Sequence, residues 1–254
     1  SRYAIGALIL LLFITYIRGN LRISLSKVSR VFLSSIYACI LISLTYHAVD
    51  YLDIGPVMAI LYCFPIGVAF VSYFRGESKI VLVQWLSMVG LMIGLYLMLS
   101  TGEQVLNLYG LFISFLGLLF FIAFVVTASN LSAQIGATTF NFYVSIFGII
   151  LLTVGFILPL GFEIKLPLTK IGYLAIFTNG IFYIASWVLF FKGATIIGAT
   201  RTSMLSSVEP LFAALLAIIL LNQLLSVTEW TGFIIVLTAI YTFEKNSTKP
   251  KAKF

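Results

Sequence analysis

Runs of about 20 mostly apolar residues recur along the whole chain, and they constrain its fold more than any other feature. A helix needs about 20 such residues to cross the hydrocarbon core of a bilayer. Backbone groups in lipid must bond within their own segment, and the runs are continuous rather than alternating, so helices are predicted and strands are excluded. We predict nine spans, at residues 3–17, 31–49, 54–74, 80–99, 106–128, 138–160, 170–191, 199–221 and 226–243.

The composition also indicates a protein whose outer surface faces lipid. Of the 254 residues, 61% are hydrophobic and 9% are charged, whereas a soluble domain is about 45–50% apolar and about 25% charged. The net charge of +7 comes from basic residues in short segments between apolar runs, which is typical of membrane topology. No array of basic residues is interleaved with aromatic ones, so we expect no nucleic-acid partner.

The chain carries few groups that serve catalysis or metal binding. His47 is its one histidine, and its two cysteines, Cys39 and Cys63, lie inside apolar runs without metal-ligand spacing. The sequence contains no G-x-S-x-G, H-E-x-x-H or G-x-x-x-x-G-K-[ST] motif. We therefore expect no cofactor, no metal and no enzymatic activity, with a membrane-embedded enzyme as the less favoured alternative.

The basic residues predict the orientation of the chain, because cytoplasmic loops carry an excess of Lys and Arg. Acidic Asp50, Asp53 and Glu103 follow alternate spans, whereas Lys165 and Lys170 depart from the rule. Two segments on the other side are basic, namely the loop with Arg18, Arg22, Lys27 and Arg30 and the tail with Lys245, Lys249, Lys251 and Lys253. This pattern predicts a cytoplasmic C-terminus.

The first half of the chain is repeated in the second half. The segment Pro65…Glu77…Gln84-Trp85…Tyr96 aligns without gaps on Pro210…Asn222…Glu229-Trp230…Tyr241. The matched spans are five helices apart, and an odd number reverses the membrane direction, so we predict inverted repeats related by a pseudo-two-fold axis. The repeats occupy residues 1–100 and 101–254. The first is one helix short of five, so we expect ten helices in total, the first of them missing here.

Small residues, prolines and acids recur at characteristic positions in both halves. The second half contains Gly193-Ala194-Thr195…Gly198-Ala199…Ser207-Val208-Glu209-Pro210 and then Gln223…Glu229-Trp230-Thr231-Gly232, echoed by Ala48…Gly55-Pro56…Phe64-Pro65…Glu77…Gln84…Gly90. This pattern resembles EamA-type proteins of the drug/metabolite transporter superfamily, and Arg2 resembles the arginine that opens their second helix. Asn222 departs from it, because the family often has Glu there. The resemblance implies a ten-helix exporter or exchanger of amino acids, nucleobases or related metabolites in a bacterial inner membrane, with both termini cytoplasmic.

Glu209 is the candidate for both substrate binding and proton coupling. It falls near the middle of a predicted span, where an acid is costly unless it is paired or faces water. Pro210 beside it lacks a backbone donor and disturbs the helix, and a broken helix with a polar group at the midplane is typical of an ion or substrate site. Thr202 and Ser206 share its helical face as candidate substrate contacts, although such hydroxyls often bond to their own backbone. The alternative for Glu209 is a protonated acid that is hydrogen-bonded within the bundle.

A second group of candidate substrate-binding side chains is mostly aromatic. Asn179, Tyr183 and Trp187 follow one another at i, i+4 and i+8, which places them on one helical face. Tyr37 is the counterpart of Tyr183 in the first repeat. We predict that these residues line an aromatic cavity, with ordinary bundle packing as the alternative.

Two further pairs have structural interpretations. Gly90 and Gly94 form a G-x-x-x-G pair that favours close helix packing. His47 and Asp50 lie near the outer end of one span and are interpreted as an interfacial pair, with a proton relay as the alternative.

The favoured function is a secondary transporter that works by alternating access around a midplane cavity. Because no nucleotide-binding motif is present, its energy would come from protons or from an exchanged metabolite. Its expected partners are a small-molecule substrate and the lipid bilayer. A lipid or metabolite flippase is the alternative function.

Overall fold

The computed structural model describes residues 2–17, 21–77, 79–99, 107–157, 167–222 and 224–247, and all regular structure in them is helical. Several residues used to predict orientation lie outside this part of the chain, namely Arg18, Glu103, Lys165, Lys249, Lys251 and Lys253. Eleven helices follow in order: α1 (Arg2–Tyr16), α2 (Leu25–Val49), α3 (Ile54–Leu61), α4 (Phe64–Phe74), α5 (Leu82–Leu99), α6 (Leu108–Ile135), α7 (Ala137–Ile157), α8 (Lys170–Ile197), α9 (Ala199–Ser206), α10 (Glu209–Leu221) and α11 (Val227–Lys245).

Seven segments of the described chain are long and apolar enough to cross a membrane: Leu25–Val49, Ile54–Phe74, Leu82–Leu99, Leu108–Ile135, Ala137–Gly155, Lys170–Ile197 and Ala199–Leu220. Helix α1 is apolar but has only 15 residues, and α11 is not in this set. The protein is therefore an all-helical, multi-pass membrane protein, as predicted. The number of nine or ten crossings stays a prediction.

The chain divides into two compact units. The first contains Ser1–Ile40 and Ala123–Ile196, and the second contains Leu41–Ile122 and Ile197–Phe254. Helices α2 and α6 contribute to both units. Each unit draws helices from both halves of the sequence, so these units are distinct from the predicted repeats at 1–100 and 101–254, which stay a prediction.

In the second unit, α5 and α11 pack backbone against backbone. A Cβ atom added at Gly94 would lie 2.8 Å from Val236 Cγ2 and 2.9 Å from the Gly232 carbonyl oxygen, and one at Gly232 would lie 2.5 Å from the Gly94 carbonyl oxygen. Small residues permit this close approach. A Cβ atom at Gly90 would meet Ala239 Cβ at an ordinary 3.7 Å. Of the G-x-x-x-G pair, Gly94 therefore makes the tight contact.

The starts of α5 and α11 share one kind of stabilising hydrogen bond. The Ser226 N–H donates to Glu229 Oε2 (2.7 Å) and the Glu229 N–H donates to Ser226 Oγ (3.2 Å), which is a capping box. At α5, the Val81 N–H donates to Gln84 Oε1 at 3.1 Å. The Gln84 amide also donates to Ser247 Oγ (3.0 Å), which ties the start of α5 to the end of α11. Gln84 and Glu229, which the sequence alignment pairs, thus accept the same kind of hydrogen bond.

Two apolar segments of the second unit are each broken near the middle. Helix α3 ends at Leu61 and α4 begins at Phe64, while α9 ends at Ser206 and α10 begins at Glu209. Pro65 and Pro210 lie in the first turn after each break, where a missing N–H leaves no bond unmade. At the offset that relates the two prolines, both ends of α3 and the start of α4 fall on both ends of α9 and the start of α10.

The two broken segments end in left-handed residues. Gly76 (φ +68°) follows α4, and the next N–H, that of Glu77, donates to the Ser72 carbonyl oxygen at 2.9 Å. Asn222 (φ 52°) caps the end of α10. Asparagine tolerates this conformation better than most residues with a side chain. The left-handed backbone thus gives a physical reason why this position has Asn222, although the resemblance implies Glu.

In the first unit, α1 packs against α7 and α8 through glycines. A Cβ atom at Gly148 would lie 3.0 Å from the Tyr3 ring, and one at Gly180 would lie 2.8 Å from Ile5. The Tyr143 hydroxyl donates to the Leu21 carbonyl oxygen at 2.8 Å and so anchors the segment before α2 on α7.

We predict that Gly94→Ala destabilises the protein by about 1–2 kcal/mol, because the added methyl group meets backbone atoms of α11 that cannot rotate away. The matched variant Gly90→Ala adds the same methyl group to the same helix where space exists. It should be neutral or slightly stabilising, because alanine favours helix more than glycine does. Thermal unfolding of both variants in detergent measures the difference. Equal melting temperatures for the two variants would contradict the tight contact.

Candidate functional site

Glu209 is the first residue of α10 and directly follows the break in the broken segment α9–α10. At the break, the Ser207 and Val208 N–H groups donate to the Met204 and Leu205 carbonyl oxygens, each at 3.2 Å and three residues back. The Glu209 side chain is exposed. A carboxylate in the first turn of a helix is stabilised by the positive end of the helix dipole. The local backbone therefore favours an acid at this position.

The neighbour of Glu209 comes from the other broken segment. Tyr62 is the C-cap residue of α3, and its hydroxyl group shares a hydrogen bond with the Glu209 carboxyl group. The two breaks therefore bring a phenol and a carboxyl group together within the second unit. Tyr62 was not identified from the sequence. A signal was present, because Tyr62 aligns with Ser207, a break residue of the second repeat.

The hydroxyls of Thr202 and Ser206 donate to their own helix, as the alternative expectation held. Thr202 Oγ1 donates to the Gly198 carbonyl oxygen at 3.0 Å, and Ser206 Oγ donates to the Ser203 carbonyl oxygen at 2.7 Å. Each oxygen still has lone pairs that can accept a hydrogen bond from a substrate. Their role as substrate contacts stays a prediction.

Two hydroxyls that the sequence analysis missed lie in the same segment. Ser203 and Ser207 are buried, and their Oγ atoms have no hydrogen-bond partner in the described part of the chain. A buried polar group without a partner costs about 1–3 kcal/mol. These hydroxyls thus join Glu209 and Tyr62 as polar groups at the break that can interact with a substrate or with water. Serine is common in membrane helices, so the sequence alone gave no reason to select them.

In the first unit, Tyr183 and Trp187 contact each other as their i, i+4 spacing predicts. Their ring centroids are 6.4 Å apart at an interplanar angle of 70°. Trp187 also stacks on Phe191 (5.4 Å, 23°) and meets Phe124 edge-on at 5.2 Å. Trp187 is half-buried and Phe191 is fully buried. Trp187 therefore packs into the bundle through Phe191 and Phe124, and part of its side chain stays accessible.

Helix α1 brings a cation to this aromatic group. The Arg2 guanidinium carbon lies 4.7 Å from the Tyr183 ring centroid and 5.9 Å from that of Tyr3. Tyr3 packs edge-on against Tyr183, with centroids 5.9 Å apart at 87°. A cation–π contact of this kind contributes about 0.5–2 kcal/mol. Arg2 and Tyr183 were both singled out from the sequence, but sequence alone could not pair them.

The remaining two candidates of the aromatic group belong to the same unit but differ in how exposed they are. Asn179, one turn before Tyr183 on α8, is exposed, and Tyr37 on α2 is half-buried. All four candidates of the aromatic group thus belong to the first unit, whereas Thr202, Ser206 and Glu209 belong to the second.

The other titratable groups do not gather into a metal site. Within the described ranges, no three His, Cys, Asp or Glu side chains are placed to share a metal ion. Cys39 and Cys63 are free and half-buried. His47 Nδ1 lies 3.4 Å from Asp50 Oδ2, with both side chains exposed, which agrees with the interfacial pair.

Comparisons with known proteins extend this picture. The model of the EamA-like transporter family matches residues 108–243, just over half of the chain. A segment of 59 residues is 36% identical to the "Uncharacterized inner membrane transporter YicL" of Salmonella typhimurium (strain LT2), covering 23% of this chain and 20% of that protein. The match therefore spans about a fifth of the relative's length. One solved crystal structure superposes with a TM-score of 0.79 over 96% of this chain and 86% of its own, at 12% identity, which shows likeness of fold alone.

We predict that the ring of Tyr183, rather than its hydroxyl, stabilises the first unit. Tyr183→Leu removes the surface that contacts Arg2, Tyr3 and Trp187, so it should lower the melting temperature by several degrees. Tyr183→Phe keeps these ring contacts and should melt close to the parent protein. Thermal unfolding followed by tryptophan fluorescence measures both variants. A Phe variant as unstable as the Leu variant would show that the hydroxyl carries the stability.

Proposed function

The chain belongs to the EamA-like transporter family, and from this premise we propose that it is a secondary transporter of small metabolites. We propose export or exchange of compounds such as amino acids or nucleosides across a bacterial inner membrane. The location is supported by the relative whose name is that of an inner membrane transporter. Family membership also favours transport over a membrane-embedded enzyme.

The single observation that carries the proposal is the meeting of two helix breaks at Tyr62 and Glu209. Non-helical backbone at membrane depth is tolerated only where it is buried in protein or lines a water-filled cavity. Glu209 is exposed rather than buried, and an acid facing lipid would be costly. A water-filled pathway beside Glu209 removes this cost. We therefore propose Glu209 as the group that binds the coupling proton.

The mechanism that we propose is alternating access between two inverted repeats. Two structural correspondences support the repeats: the matching boundaries of the broken segments and the matching roles of Gln84 and Glu229. In such transporters, one repeat rocks against the other around a site near the midplane. We propose ten helices in all, in repeats of five, with the C-terminus in the cytoplasm. The basic residues at the end of α11, beginning with Lys245, support this orientation.

The proposed substrate contacts include aromatic surface in the first unit and hydrogen-bonding groups in the second. Tyr183 and Trp187 present ring surface, with Tyr37 and Asn179 as further contacts, and Thr202 and Ser206 offer acceptor oxygens. In the second unit, the carboxyl group of Glu209 suits a substrate that carries a positively charged amine. Among the proposed classes, this acid favours an amino acid.

A lipid or metabolite flippase is the second candidate. An apolar groove of about 420 Å³ runs between α5 and α11 in the second unit. Its hydroxyls on Ser87, Thr238 and Thr242 all donate to carbonyl oxygens one turn earlier, so the groove offers no free donor. Such a surface suits an acyl chain, but it gives a polar headgroup no path across the membrane. The polar groups at the breaks favour the transporter.

We predict that Glu209→Gln abolishes substrate accumulation driven by a pH gradient while substrate exchange persists. Glutamine resembles the protonated acid. The variant can therefore complete the steps in which residue 209 stays protonated, but not the steps that release its proton. Proteoliposomes that contain the full-length protein should be tested with labelled amino acids and nucleosides. Accumulation should fall more than tenfold, whereas counterflow of preloaded substrate should continue.

The matched control is Glu77→Gln, which makes the same change at an exposed acid outside the helices. It should transport like the parent protein. Tyr62→Phe, which removes the hydroxyl partner but keeps the ring, should weaken gradient-driven accumulation more than exchange. A Glu209→Gln variant that accumulates substrate as well as Glu77→Gln would refute the assignment of proton coupling to Glu209.

A further inference from the structure

A cavity of about 310 Å³ opens in the first unit where the segment before α2 meets the end of α6. The described residues that line it are mostly polar, and two of them are basic. It is formed by Arg22, Ile23, Ser24, Lys27, Gln134 and Ile135. None of these residues belongs to the proposed transport site.

The fold fixes both walls of this cavity. On one side, the Ser24 carbonyl oxygen accepts hydrogen bonds from the N–H groups of Lys27 (2.9 Å) and Val28 (3.0 Å), which begins α2. The Tyr143 hydroxyl donates at 2.8 Å to the carbonyl oxygen of Leu21, the residue before Arg22. On the other side, α6 stops at Gly136 (φ +85°), whose N–H donates to the Ser132 carbonyl oxygen at 2.9 Å. The cavity therefore belongs to the packed structure rather than to a loose loop.

We propose that this cavity binds the phosphate group of an anionic ligand. Arginine offers a planar set of donors that matches phosphate oxygens, and lysine adds a compact positive charge. The Ser24 hydroxyl and the Gln134 amide supply further donors from two segments that are distant in sequence. These four side chains complement a phosphate in both charge and hydrogen bonding. The inference does not depend on the proposed transport function.

The position of the cavity indicates two sources for such a phosphate. Lys27 lies in the first turn of a membrane-spanning helix, Leu25–Val49, so the cavity lies at the level where lipid headgroups meet water. An anionic lipid headgroup is one source, and a free phosphate group on a soluble metabolite is the other. Both would use the same four side chains.

A general excess of positive charge on one membrane face is the simplest competing explanation of these basic residues. Arg30 provides the comparison within the chain. It belongs to the same helix as Lys27 and is exposed, but it does not line the cavity. If only net charge matters, removing Arg30 should weaken phosphate binding as much as removing a lining cation. If the cavity is a site, Arg30 should matter little.

The test measures the melting temperature of the full-length protein in a neutral detergent with dioctanoyl phosphatidylglycerol, dioctanoyl phosphatidylcholine or inorganic phosphate. We expect phosphatidylglycerol to raise the melting temperature saturably and phosphatidylcholine, which has no net charge, to have little effect. Changing Arg22 and Lys27 together to Gln should weaken the apparent affinity roughly tenfold or more, because each basic group contributes about a factor of five near an anionic headgroup. Arg30→Gln should bind like the parent protein.

The probes also identify the source of the phosphate. If millimolar inorganic phosphate raises the melting temperature and competes with phosphatidylglycerol, the site accepts a free phosphate group. If only phosphatidylglycerol acts, the site is specific for a lipid headgroup. If the double variant folds poorly, Gln134→Leu is the substitute, because it removes the amide donor and leaves the net charge unchanged. Absence of any saturable shift, or equal losses in the lining variants and Arg30→Gln, would overturn the proposal.

Discussion

Backbone hydrogen bonding in a medium without water is the constraint on which the rest of this structure depends. An unpaired N–H or carbonyl group in lipid costs several kcal/mol, so long helices are the default here. The two breaks in the second unit keep most of these bonds by tightening the turn. The Cys63 and Ser207 N–H groups each reach three residues back, to Ile60 (3.1 Å) and Met204 (3.2 Å). Each break thus interrupts the helix while losing few backbone bonds.

The breaks also explain how an acid is accommodated inside a membrane-spanning segment. The ion pairs described in this structure, His47–Asp50 and Arg201–Glu244, do not involve Glu209. Its stabilisation comes instead from the start of α10 and from the Tyr62 hydroxyl. Neither of these groups neutralises the carboxylate as a lysine or arginine would. An acid held by dipoles alone can exchange a proton without breaking a salt bridge, which suits the proton-coupling role that we propose for Glu209.

Much of the fold could be predicted from the sequence, because continuous apolar runs and their length decide where helices cross lipid. The errors in helix ends have a simple cause: α2 begins at Leu25 rather than at residue 31, because a helix can extend its charged first turns beyond the apolar core. The break at Pro210 was foreseen from the chemistry of proline. The Tyr62–Glu209 and Arg2–Tyr183 contacts were not, because they depend on which helices pack together. Periodicity determines the face of a helix but not its neighbour.

The pair α5–α11 provides the frame that holds both broken segments in the second unit. Gly55 at the start of α3 lies against the Leu99 carbonyl group at the end of α5, without room for a side chain. Arg201 on α9 forms an ion pair with Glu244 on α11. Each broken segment is thus attached to one member of the pair, and the close contact at Gly94 joins the two members. Tyr62 and Glu209 lie on different segments, and these segments also pack directly against each other through α4 and α9. The glycine contact thus reinforces a frame that both residues share, although neither residue touches it.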